Sequence, residues 1–118
     1  MKQIDINITY MVDRDRWAKM TIFDQMGNIS SEVGRSFNAK RRHNDVDCKM
    51  AVNRAIDLFD ATVSALIANK SPKSREVLRA KETYLDAIFD ESTSPADESS
   101  LERYFMQFAV ASRLNRQN

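Results

Sequence analysis

The run Met20–Phe37, MTIFDQMGNISSEVGRSF, decides the fold. Spacing its residues about 100° apart around an axis puts Met20, Phe23, Met26, Gly27, Ser30, Val33, Gly34 and Phe37 on one side and leaves Glu32 on the far side. One apolar face and one polar face describe a helix packed against others. Gly27 and Gly34 lie seven residues apart on the apolar side with Ser30 between them. Each costs an isolated helix about 1 kcal/mol relative to alanine, so close approach of a neighbouring helix is expected to offset it. The first helix is predicted to run from about Arg14 to Lys40.

Downstream, the same reasoning repeats. Asn44, Asp45 and Asp47 supply a cap and an acidic first turn for a second helix whose inward stripe is Val52, Ala55, Ile56, Phe59, Thr62, Val63 and Leu66. It should end near Asn69. Ser71 and Pro72 start a third, with Val77, Leu78, Tyr84, Leu85, Ile88 and Phe89 inward. The segment Glu91–Ser100, ESTSPADESS, is the one loop-like stretch, and a fourth helix begins at Ser94-Pro95 or at Ser99. This last helix carries Leu101, Tyr104, Phe105, Phe108 and Ser112 on one side. Four amphipathic helices on short connections predict an all-α, antiparallel, up-down-up-down four-helix bundle over residues 13–118.

Upstream, the pattern differs. Ile4, Ile6, Ile8, Tyr10 and Val12 alternate with polar residues and Met11, a period of two, so residues 1–12 read as an extended arm laid over the body or as a strand seeking an edge in another chain. One lysine and no unbroken apolar core argue against a secretory signal.

Composition supports this class. The chain has 118 residues, 42% of them apolar, with only two glycines and two prolines, too few for a glycine-rich nucleotide fold or a turn-rich β-sandwich. A single cysteine excludes an internal disulfide and a thiolate metal cage, and no apolar run spans a membrane, so a reducing, cytoplasmic setting is expected.

Catalytic constellations are scarce, and no cofactor is expected. His43 is the sole histidine and follows Lys40 rather than a glutamate at the spacing a di-iron bundle needs. Asn38 stands where helical RNases carry an arginine ahead of their histidine. Cys48 projects onto the inward stripe of the second helix and reads as a small buried residue. Asp57 with Asp60 and Glu82 with Asp86 fall toward solvent, and Arg79 with Glu82 reads as an exposed ion pair. Lys81 lies inside the third helix's apolar arc, where it can snorkel or meet an anionic partner. The expectation is a non-enzymatic protein.

Two binding features remain. Ile22 and Ile29 lie about 100° to 120° from Phe23, and Met106 and Val110 sit off the side holding Phe105 and Phe108, which makes these four the candidate contacts of a homo-oligomer. Arg35, Lys40, Arg41 and Arg42 form a basic cluster. Residues 13–43 hold seven basic and four acidic side chains, net +3, against net −1 for residues 44–70. A patch of this kind can contact the phosphates of RNA or DNA.

Gln25-Met26-Gly27-Asn28-Ile29-Ser30-Ser31-Glu32 on the first helix and Tyr104-Phe105-Met106-Gln107-Phe108-Ala109 on the last carry a resemblance covering roughly Trp17 to Leu114. With the helix spacing, the chain resembles the four-helix group of the ribosomal S23 intervening-sequence proteins and the accessory variability determinants of diversity-generating retroelements. The resemblance implies a non-enzymatic bundle that assembles into a ring and binds a reverse transcriptase and nucleic acid through a basic surface. A net charge of +1 is less basic than that role calls for.

Overall fold

A computed structural model describes residues 11–117, with side chains to Leu114. The arm proposed for residues 1–12 lies outside the described residues except for Met11 and Val12. The described residues form helices and no strand: α1 Arg14–Ala18, α2 Ile22–Arg41, α3 Asp45–Ala68, α4 Lys73–Phe89 and α5 Pro95–Gln117.

The expected helix from Arg14 to Lys40 is two helices. Thr21 adopts an extended backbone (φ −68°, ψ 157°) and its side chain accepts from the Asp24 N–H at 3.1 Å, so it caps a new helix rather than continuing the old one. The break lets Trp17 turn inward. Its indole donates to Thr62 Oγ1 at 2.9 Å, and Gln25 Nε2 donates at 2.8 Å to the Trp17 carbonyl, which also accepts from the Met20 N–H at 3.1 Å, so the end of α1 is tied to α2. Asp57 on α3 fastens the segment from the other side, accepting from the Val12 N–H at 2.8 Å and from Arg14 NH2 at 2.9 Å. Asp57 is therefore an internal clamp, contrary to its expected place on the solvent side.

With both glycines placed inside α2, the turns close on other residues. His43 (φ 57°) and Lys70 (φ 55°) occupy the left-handed position after α2 and α3. In each case the next N–H reaches back to the helix, Asn44 to the Ala39 carbonyl and Ser71 to the Leu66 carbonyl, both at 2.9 Å. Two of the caps read from the sequence form, Asn44 accepting from the Asp47 N–H at 3.0 Å and Ser94 from the Asp97 N–H at 3.1 Å. At α4, by contrast, Pro72 itself takes the cap position with no side-chain cap bond, and Ser71 Oγ accepts only from the Lys73 N–H at 3.3 Å. Pro95 opens α5.

Each long helix contributes one aromatic ring to a shared layer. Phe37, Phe59, Tyr84 and Phe105 are all fully buried, with neighbouring centroids 5.8 to 6.4 Å apart and mostly edge-to-face. The Tyr84 hydroxyl donates to Ser36 Oγ at 2.6 Å, and Ser36 donates on to the Val33 carbonyl at 2.8 Å.

α2 touches α3, α4 and α5, so more than one face of it is covered. That corrects the reading of two contact candidates and of Glu32. Ile29 is 0% exposed, Ile22 is half-buried against the core, and Glu32 is buried although its angle placed it outward. A central helix buries a wider arc than a peripheral one. Gly27 does admit a neighbour: an added Cβ would stand 3.3 Å from Ala109 Cα of α5. Gly34 has nothing within 4 Å, so no close approach explains it. On α4, Val77, Ala80, Tyr84 and Ile88 are buried, while Leu78 and Phe89, expected inward, are exposed.

Candidate functional site

The basic cluster at the end of α2 does not form one patch. Successive residues turn through about 100°, so Lys40 and Arg41 point away from Arg35 and Arg42, which are seven apart and share a side. Lys40 Nζ donates to the Ala87 and Asp90 carbonyls at 3.1 and 2.9 Å, capping the C-terminal end of α4, and pairs with Glu98 at 3.2 Å. Arg41 pairs with Glu98 at 3.3 Å and Glu102 at 3.1 Å at the start of α5. These two cations join α2 to α4 and α5. Their first task is internal.

Arg35 and Arg42 face α3, where they meet a residue that the sequence reading did not single out. Arg54, with Arg35, Arg42, Asn38, Asp47 and Met50, lines a groove of about 190 Å³ floored by Ala39 and Ala51. Glu32 lies buried beside it, Oε2 accepting from Arg35 NH1 and Oε1 from Arg54 Nε, both at 3.1 Å. No spacing rule links Arg54 to Arg35. Only the packing of α2 on α3 joins them.

The four apolar contact candidates separate. Ile29 is in the core and Ile22 lines an apolar recess, whereas Met106 (53%) and Val110 (43%) are exposed. Leu114, one turn further, is 57% exposed and continues their line. The recess, about 200 Å³ between α2, α4 and α5, is formed by Ile22, Phe23, Met26, Val77 and Phe108, with Lys73, Glu76 and Tyr104 completing it. Tyr104 donates to Glu76 Oε1 at 3.4 Å; burial, then the neighbouring Glu76 charge, raises its phenol pKa above the ordinary value.

The remaining candidates have plain partners. Lys81 pairs with Asp60 at 2.8 Å within the chain. Arg79 and Glu82 form no ion pair among the described residues. Cys48 is half-buried, and burial raises its thiol pKa against the opposing pull of Lys40. Among the described residues, no group of three or more His, Cys, Asp and Glu could hold a metal ion, and no helix is long and apolar enough to cross a membrane.

Comparison with models of known families, with curated proteins and with solved structures finds no match.

Proposed function

We propose that this chain is a non-catalytic, self-associating interaction protein whose four long helices run up-down-up-down and whose contact face is the outer side of α5. The observation that carries the reading is the row Met106, Val110 and Leu114, exposed at successive i, i+4 spacings while the opposite side of α5 holds buried Phe105 and Ser112. A two-fold axis beside Val110 would set each Met106 against the partner's Leu114, an isologous contact needing no second type of surface. About half of each side chain is still open, so covering the row contributes about 1 kcal/mol per residue on each copy before association costs.

Contacts at both ends of α2 support the antiparallel arrangement. Its last turn meets the start of α5 through Arg41 with Glu98 and Glu102, and its first turn meets the end of α5 through Asp24 and Ser112. Asp60 with Lys81 relates α3 to α4 in the same opposed sense. The non-catalytic reading is supported by the work its polar groups already do: Ser36 and Thr62 accept from Tyr84 and Trp17, and the Cys48 thiol is raised rather than activated. An accessory role toward a reverse transcriptase or nucleic acid stands second, because Lys40 and Arg41, two of its four cations, already neutralise Glu98 and Glu102.

Sedimentation velocity across micromolar concentrations tests the proposal. The wild-type chain should sediment above its 13.6 kDa monomer mass, and Met106→Glu with Val110→Glu should return it to monomer with helicity unchanged by circular dichroism. A monomeric wild type, or a double variant of unaltered mass, would remove the proposal.

A further inference from the structure

We propose that the groove between α2 and α3 is a pocket for a phosphate monoester, held by Arg35, Arg42 and Arg54. The proposal is independent of the self-association face, which lies on α5.

Each guanidinium presents five N–H donors in a planar fork that matches two phosphate oxygens. Glu32 accepts one bond from Arg35 and one from Arg54, and among the described residues the Arg42 guanidinium has no hydrogen-bond or ion-pair partner, its backbone N–H alone donating to the Asn38 carbonyl. Donors therefore remain on all three arginines. Glu32 is 8% exposed and uses both oxygens on these two arginines, which makes it a fixed brace for the groove wall. Asn38 adds an amide donor in the turn between Arg35 and Arg42. Alanines at the floor, Ala39 and Ala51, leave the recess open.

Charge favours an anion. Three arginines outnumber the two carboxylates at the groove, Glu32 and Asp47, and Asp47 is already engaged at Oδ2 by the Asn44 amide at 2.9 Å. A volume of about 190 Å³ equals about six waters, which suits a phosphate with a small organic ester. A recess walled by three forked cations suits a compact dianion better than the long, evenly charged track of a nucleic-acid backbone.

The test is amide chemical-shift titration of the whole chain at constant ionic strength, with inorganic phosphate, ribose 5-phosphate, and an eight-residue thymidine oligonucleotide with and without a 5′-phosphate. Inorganic phosphate and ribose 5-phosphate should shift the amides of Arg35, Asn38, Arg42, Asp47 and Ala51 saturably, and the oligonucleotide should bind more tightly when phosphorylated at its end. Arg42→Gln and Arg35→Gln should each weaken binding about tenfold, the scale of one charge-assisted hydrogen bond. Both side chains are exposed, so neither substitution threatens the core; Arg54, half-buried on Glu32, is left in place. Arg103→Gln on α5, an equal loss of charge elsewhere, should change nothing. Shifts reproduced by sodium chloride, an Arg42→Gln affinity equal to wild type, or oligonucleotide binding that ignores the terminal phosphate would each overturn the proposal.

Discussion

Replacing Ser36 by alanine should destabilise the protein more than removing the Tyr84 hydroxyl that it receives. Tyr84 donates to Ser36 Oγ at 2.6 Å, and Ser36 donates to the Val33 carbonyl at 2.8 Å, so the serine is the acceptor for one group and the donor to another. Both residues are 0% exposed. In Ser36→Ala the phenol keeps its place between the rings of Phe37, Phe59 and Phe105 and has no water to turn to. A buried donor left without a partner costs about 1–3 kcal/mol, so about 2 kcal/mol is expected. In Tyr84→Phe the serine still donates to Val33 and loses only an incoming bond, for about 1 kcal/mol. The double variant removes the orphan together with its partner and should lie near Tyr84→Phe, a coupling of about 1–2 kcal/mol between the sites. Urea unfolding followed by the fluorescence of Trp17, the sole tryptophan, measures all four proteins, and the Ser36→Ala deficit should lower Tm by roughly 6–10 °C. If Ser36→Ala and Tyr84→Phe cost the same and add in the double variant, the two hydroxyls are not coupled and the account of the central layer is wrong.

Alkaline titration probes the same ring. Burial raises the Tyr84 pKa far above its ordinary value near 10, so above that pH the unfolded chain loses this proton before the folded one does. Stability should fall as pH rises past about 10, and Tyr84→Phe should flatten that fall by up to about 1.4 kcal/mol per pH unit in urea midpoints taken from pH 9 to 11.5. His43→Gly and Lys70→Gly should each raise the urea midpoint by about 0.5–1 kcal/mol equivalent, because a left-handed backbone disfavours any residue with a Cβ. Gly34→Ala should also stabilise by up to about 1 kcal/mol, whereas Gly27→Ala must press its methyl toward Ala109 and should gain nothing or lose. Asp57→Ala frees the Val12 N–H and removes the Arg14 ion pair, leaving Arg14 NH1 on the backbone carbonyl of residue 57; it should cost about 1–2 kcal/mol and shift Trp17 emission to the red as α1 loosens, and an unmoved emission maximum would show that the Asp57 carboxylate does not hold α1 in place.

What the sequence determined alone is what neighbours along the chain determine. Helical periodicity, the Asn44 and Ser94 caps, the stop near Asn69 and the start after Ser71-Pro72 are each set within a turn or two of backbone, and the helices α3, α4 and α5 begin and end close to those signals. Thr21 with Asp24 three residues on has the form of a cap, but it lies within a continuous apolar arc that masks the break admitting Trp17. Tertiary structure decided the rest, because burial and charge pairing depend on elements distant in the chain. α2 is covered by three helices, so Ile29 and Glu32, outward on a helical wheel, are inside. Four adjacent-looking cations became two pairs with different duties once Glu98 and Glu102 arrived from α5 and Arg54 from α3. A wheel gives the angle of a side chain about its own axis; only the packed helices say what stands at that angle.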